Sequence, residues 1–424
     1  MGRININDLR TEMILSGELL APNGRFLLPG GTVLEEKHIK IMKTWGVIEA
    51  EIKGLEQEDA RAGTASEIDP EALRETEEYL RPLFILNDLE NEVVREIYRL
   101  CVLRTARKPA ARRFTSRAEM GEGMPEVPSS RKDMFQKGKG SARDLVKYEV
   151  ELASFPDIYF QIMEVLDSPR SSSSYVADVI SKDASLSAKL LRLVNTPFYG
   201  FPSKIDSISR AVTIVGINEL TTLAKGIAVI HFFKDVPSEL IDMKNFWKHS
   251  ISCGVFAKVL AGHKIGLIGE RFFVAGLIHD VGRILMLKKF PHAMTEAIFL
   301  SRKEAIPIFE AERETIGFDH AKVGGLLLKE WRFPDSLENS VKYHHSPSSA
   351  LNPLDPSIVN VADMMARALR CGSCGLLVPA LQEGAWETMD LSPGVLATVV
   401  NQADRQSDEI VKAFLHEDEE ACGG

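Results

Sequence analysis

Apolar residues recur with a helical period through most of the chain beyond residue 145, whereas residues 1–54 carry them in short runs broken by turn residues. Segments 13–15 and 18–21 flank Gly17, and Pro22-Asn23-Gly24 forms a strong turn signal ahead of segment 25–28. After the break at residues 29–32, apolar positions 39, 41 and 42 predict a short helix over 35–44, and residues 47–52 read as a last strand. This pattern predicts a small β-rich module over 1–54.

Residues 55–68 are polar and acidic and read as a linker. Asp69 is the expected N-cap of a helix opened by Pro70 and extending, with a break, to about residue 107. The stretch 108–141 is rich in Pro, Gly, Ser and basic residues and poor in large aliphatics, so a flexible basic linker is expected there. Helical segments follow at 150–166, 174–180, 186–194, 207–215, 219–233, 246–261, 270–290, 291–304, 306–316, 319–331, 337–343, 356–370 and 393–415. Residues 142–415 are therefore expected to form an all-α domain, residues 416–424 a disordered acidic tail, and the chain as a whole a mainly α fold.

The 424 residues are 45% hydrophobic and 26% charged, the balance of a globular protein. A net charge of -9 argues against a nucleic-acid partner, which selects for a basic face. No apolar run has the length to cross a bilayer, and the N-terminal residues show no apolar signal segment. With an odd, scattered set of five cysteines, a reduced cytoplasmic location is expected. Cys371-Gly372-Ser373-Cys374 has the spacing of a half zinc site, but without a second pair it reads as incidental to a helix end. The aromatic group Phe155, Phe160, Phe198, Tyr199 and Phe201 reads as core rather than a nucleotide-stacking platform.

Five of the ten histidines stand in a fixed order with two aspartates: His249, His279-Asp280, His320, His344-His345, Asp363. Imidazole and carboxylate are ligands of borderline divalent metals, and seven such groups exceed the need of one tetrahedral ion, which points to a two-metal shell. His279-Asp280 closes the apolar run 272–278, so the pair is expected on a buried helix. Adjacent helical residues diverge by about a hundred degrees, so both reach one cavity only if the helix end points into it. A buried aspartate needs a ligated ion or a cation such as Arg283. Asp319 is a plausible N-cap before His320, and Asp363 interrupts an apolar helix. His38, His231, His263, His292 and His416 read as ordinary core or surface histidines.

This order resembles the shell of the HD superfamily of metal-dependent phosphohydrolases, whose central motif is similar to Gly276-Leu277-Ile278-His279-Asp280-Val281-Gly282-Arg283. More narrowly, residues 145–345 resemble an HDOD domain, the HD-related output domain of bacterial signalling proteins. The resemblance runs through Leu152-Ala153-Ser154-Phe155-Pro156, Val179-Ile180-Ser181-Lys182-Asp183, Leu193-Val194-Asn195-Thr196-Pro197-Phe198-Tyr199-Gly200 and Gly317-Phe318-Asp319-His320-Ala321. Residues 1–54, through Asn23-Gly24-Arg25 and Leu27-Leu28-Pro29-Gly30-Gly31-Thr32, are similar to the module ahead of HD-GYP domains. Two departures stand out. The Gly-Tyr-Pro signature after the paired histidines is replaced by Ser346-Pro347-Ser348-Ser349-Ala350, and Arg283 stands where a lysine is common.

The resemblance implies a signal-transduction output protein that binds two divalent ions (Fe, Mn, Ni or Mg) and contacts signalling proteins. Asp280 would bridge the ions, His249, His279 and Asp363 would hold one, and His320, His344 and His345 the other. The competing expectation is an active phosphohydrolase taking a nucleotide or phosphoester. There Asp280 and Arg283 would be the catalytic residues, with Arg283 steadying a phosphate oxygen.

Overall fold

The computed structural model describes residues 2–6, 9–20, 26–44, 47, 49–53, 69–107, 131–152, 160–162, 164–165, 172–196, 198–201, 203–233, 236, 241–264, 267, 269–372 and 377–415. The Asn23-Gly24 turn, the 55–68 linker, residues 108–130, Phe155, Cys374 and the tail 416–424 lie outside the described residues.

The N-terminal module is built from two antiparallel pairs. β1 (Gly2–Asn5) pairs with β4 (Glu49–Ile52), with Ile4 opposite Ala50, and β2 (Leu19–Leu20) pairs with β3 (Phe26–Leu28). Bridges from Ile14 to Val33 and from Leu15 to Ile52 join them. Helix α1 (Glu36–Thr44) closes a small core of Leu15, Leu28, Leu34, Met42 and Ile52. β1 has no counterpart in the sequence reading, because a four-residue strand with one large apolar side chain carries almost no alternation.

The rest of the chain is helical. Asp69 accepts a hydrogen bond from Glu71 N and caps α2 (Pro70–Leu80); a 3-10 turn over Arg81–Phe84 leads to α3 (Glu92–Arg107). Next come α4 (Ala142–Leu152), α5 (Ser173–Ser181), α6 (Ala184–Val194), α7 (Ile208–Val215), α8 (Ile217–Phe232), α9 (Met243–His263), α10 (Glu270–Ile278), α11 (Val281–Lys289) and α12 (Pro291–Lys303). The chain ends through α13 (Ile308–Thr315), α14 (His320–Glu330), α15 (Asp335–Lys342), α16 (Leu354–Ala368), α17 (Ala385–Met389) and α18 (Leu396–Leu415). One continuous core runs from Leu80 to Phe414.

Three expectations change. α4 starts at Ala142 rather than 150, because Ser141 and Asp144 form a reciprocal cap: Asp144 N donates to Ser141 Oγ and Ser141 N to Asp144 Oδ2. Within residues 131–141, the end of the expected flexible linker, Met134 and Phe135 pack against the core. Met134 N donates to Lys289 O, Phe135 meets Phe290 edge-on at 4.9 Å, and Asp133 accepts from His292 N and caps α12. Finally, the helix expected over 270–290 is two helices, broken at His279 and Asp280.

α9 is the central helix and packs against α10, α16 and α18. Gly254 on α9 and Gly276 on α10 permit their crossing: a Cβ on Gly276 would stand 2.6 Å from Gly254 Cα. Gly282, in the first turn of α11, lies directly against the backbone of His320 and Gly324 on α14. These contacts bring α9, the α10–α11 break and the start of α14 to one point. Among the described residues, no single helix is long and apolar enough to cross a membrane.

Candidate metal centre

That point is where the histidines and aspartates gather. His249 comes from the middle of α9, His279 and Asp280 from the break, His320 from the first turn of α14, His344 and His345 from the turn after α15, and Asp363 from α16. The break is what lets two adjacent residues face one cavity. At Asp280 the backbone leaves helical geometry (φ -94°, ψ 9°), so its side chain swings toward the same side as that of His279. All seven side chains are buried; His249, His279 and His344 are 0% exposed and Asp280 is 1% exposed.

Asp280 is the hub. Its Oδ1 lies 3.1 Å from His320 Nε2, 3.5 Å from His279 Nε2 and 4.0 Å from His344 Nε2. Asp363 Oδ1 lies 3.0 Å from His249 Nε2 and 3.5 Å from His279 Nε2. His345 Nε2 is 2.9 Å from His320 Nε2, and the His345 ring stacks on Phe309. Two sets of potential donors result, His320 with His344 and His345, and His249 with His279 and Asp280.

The rings are oriented by what holds their far nitrogens. His279 Nδ1 contacts Gly276 O at 2.7 Å, His344 Nδ1 contacts Val341 O at 2.6 Å, and His320 Nδ1 contacts Glu312 Oε2 at 2.6 Å. Each of these acceptors holds the Nδ1 edge of its ring and so turns Nε2 toward the centre. Nε2 of His249, His279 and His344 faces the oxygens of Asp280 and Asp363 at 3.0–4.0 Å without forming a well-directed hydrogen bond to them, although all three rings are fully buried. Such orphans cost about 1–3 kcal/mol each unless something binds them.

The charge pattern agrees. Burial alone would raise the Asp363 carboxyl, but Arg367 first, then His249 and His279, hold it well below the usual range. Asp280 is lowered in the same way against burial by His279, His320 and Arg367. For His320, burial is outweighed by Glu312 and Asp280, which raise it to about 10. Burial and neighbouring cationic imidazoles push His344 down to about 4, and burial with Arg367 pushes His249 to about 4.

Two residues of the site have no place in the sequence reading. Glu312, 0% exposed, fixes His320 through both its ring and its backbone N–H. Arg367 reaches Asp280 Oδ2 at 3.0 Å and Asp363 Oδ1 at 3.1 Å. Arg367 could have been found from its spacing of four residues after Asp363, one helical turn; Glu312 carries no comparable signal. Arg283 is buried with Nη1 3.4 Å from Asp280 Oδ2 and its Nε without a partner. Cys371 is buried beside Gly372, whose positive φ of 73° lets the chain touch the α9 backbone at His249. Phe198 and Tyr199 are core, while Phe160 is exposed.

Residues 152–347 match the HDOD domain family. The chain carries an HDOD domain. Asp363 and Arg367 lie beyond the matched stretch, on a helix that completes its cavity. A curated relative, an uncharacterized protein of Treponema pallidum (strain Nichols), is 25% identical over 215 residues, 50% of this chain and 41% of that protein. The match thus spans less than half of the relative's length. An HDOD domain protein from Geobacter sulfurreducens shares the fold at 24% identity with a TM-score of 0.52, covering 65% of this chain and 97% of that one. A structure named as a candidate signal transduction protein from Marinobacter aquaeolei VT8 does so at 19% identity and TM-score 0.51, covering 63% of this chain and 61% of that one. The HDOD domain here therefore combines the family's helical fold with side-chain groups that could hold a metal ion.

Proposed function

We propose that this chain is a bacterial signal-transduction protein whose HDOD domain binds divalent metal for structure and acts through protein contacts in the cytoplasm. The observation that carries the reading is the convergence of buried Nε2 atoms from His249, His279 and His344 on the Asp280 and Asp363 carboxylates without well-directed hydrogen bonds to them. Those donors fit a borderline cation such as Fe, Mn or Ni. His249, His279 and Asp363 would hold one ion, His320, His344 and His345 a second, with Asp280 between them. A bound ion would supply charge neutralisation and folding free energy. The chain's own residues orient the donors: Glu312, Gly276 O and Val341 O fix three imidazoles, and Arg283 bears on Asp280. The signal-transduction name of the Marinobacter neighbour points the same way.

The cavity weighs against turnover of a nucleotide or phosphoester. The space touching His320, His345, Asp363 and Arg367 holds about 20 Å³ and is lined as well by Leu86, Phe309, Leu377 and Pro379. That is room for about one water molecule, far below the roughly 300 Å³ of small ligand pockets. Arg283, 3% exposed, is directed at Asp280 rather than at open space.

Elemental analysis of the purified full chain, with a phosphoester and nucleotide hydrolysis panel in added Mn²⁺ or Fe²⁺, tests the reading. Bound metal without turnover is expected. Metal-dependent hydrolysis abolished by Asp280→Ala would replace it with the enzyme reading, and absence of metal under all loading conditions would remove the metal from it.

A further inference from the structure

Arg367 stands one turn after Asp363 on α16 and spans both carboxylates of the shell. Its Nε donates to Asp363 Oδ1 at 3.1 Å and its Nη2 to Asp280 Oδ2 at 3.0 Å. Both bonds are charge-assisted, the strong kind. Asp363 Oδ1 is also the oxygen on which His249 Nε2 and His279 Nε2 converge, at 3.0 and 3.5 Å. The guanidinium therefore already engages the carboxylate oxygen that an ion between those two histidines would use. The side chain is 8% exposed and borders the small cavity under Leu86, Leu377 and Pro379.

We propose that Arg367 is a tethered counter-cation of this shell, holding Asp280 and Asp363 together when no divalent ion is bound and leaving Asp363 when one binds. This rests on the metal-binding reading above. A divalent ion sits about 2 Å from a carboxylate oxygen. Ion and guanidinium on one oxygen repel each other, and in a buried site that repulsion is only weakly screened. Arginine cannot shed its charge, so in this proposal the repulsion is relieved by the guanidinium moving off Asp363.

The way out is short. The cavity beside Arg367 is lined in part by Leu86 from strip 83–87 and by Leu377 and Pro379 from strip 377–381. They are fastened to each other: Val378 N donates to Leu83 O, Asn87 Nδ2 to Val378 O, and Leu381 N to Asn87 Oδ1. In this proposal a guanidinium leaving Asp363 presses on these lining strips, so the occupancy of the buried shell is passed to residues 377–381. That gives a signalling protein a readable consequence of metal binding without substrate turnover.

The test uses the full chain, stripped with a chelator and titrated with Mn²⁺, as wild type, Arg367→Gln and Arg367→Lys. Arg367→Gln is expected to melt below wild type without metal, to bind Mn²⁺ about tenfold tighter, and to recover the lost Tm on saturation. Arg367→Lys, which keeps the charge, is expected to stay within a few-fold of the wild-type affinity. A purely structural arginine would show the lower Tm, with Mn²⁺ raising it no further than it raises wild type. Unchanged or weaker Mn²⁺ binding by Arg367→Gln overturns the proposal while leaving the metal reading intact. No Mn²⁺ binding by any of the three proteins overturns both. Hydrogen exchange on the wild type needs no variant: residues 377–381 should exchange faster with Mn²⁺ than without, and identical exchange overturns the proposal.

Discussion

Glu312 and His320 are joined twice: Glu312 Oε2 accepts from the His320 backbone N–H at 2.9 Å and contacts its Nδ1 at 2.6 Å. The first bond satisfies an orphan donor at the start of α14, and the second aims the ring at Asp280. One carboxylate thus settles both a helix end and a ligand.

Glu312→Gln keeps the shape but removes the charge that orients the ring. Metal affinity should fall by roughly 10- to 100-fold. Isothermal titration with Mn²⁺ on the stripped protein measures it, and an unaltered Kd would mean that Glu312 only caps the helix.

Removing the metal should lower stability by mass action. At an ion concentration of about 100 times Kd, the bound form gains about 2.7 kcal/mol. Thermal melts with and without a chelator should separate accordingly, and the gap should vanish in a His279→Ala, Asp280→Ala double variant. A gap that survives the double variant would place the ion elsewhere.

Gly282 has no space for a side chain, since an added Cβ would collide with the His320 carbonyl and the Gly324 amide. Gly282→Ala should cost about 3 kcal/mol or more, because backbone rather than a flexible side chain has to give way. Urea denaturation should show a lower midpoint, and metal binding should weaken with it because His320 shifts.

Glu149 supplies an acid-sensitive joint between α4 and α11. Burial would raise its pKa, but hydrogen bonds from Lys289 at 2.8 Å and Lys288 at 3.0 Å outweigh this and lower it. A carboxyl lowered on folding contributes stability above its unfolded pKa of about 4.5, and that contribution disappears as pH falls through the folded value. Wild type should therefore lose stability below about pH 4.5, and Glu149→Gln should lose roughly 2 kcal/mol at neutral pH while flattening the acid limb. Parallel acid limbs for the two proteins would show that Glu149 takes no part.

Much of the helical order was legible because each helix carries its own signals. Asp69 and Asp319 act as N-caps through bonds to Glu71 N and Lys322 N, both within three residues. Apolar period placed α5 to α9 within a few residues of their ends. The break at His279 and Asp280 was not legible, since the apolar run continues into Val281, Ile284 and Leu285 on the far side. Residues 131–141 have the composition of a tether, rich in Gly, Ser and basic residues and poor in large aliphatics; Phe135 gains its place against Phe290, far along the chain.

The order of most helices and the ligand-type residues are readable from the chain alone. Those properties are written in local spacing and residue chemistry. Tertiary structure decided the rest. It put Asp280 between two sets of imidazoles, buried the cavity down to about 20 Å³, and set Arg367 across Asp280 and Asp363. These depend on helices crossing where Gly254, Gly276 and Gly282 let backbones touch, a close approach that no period in the chain encodes.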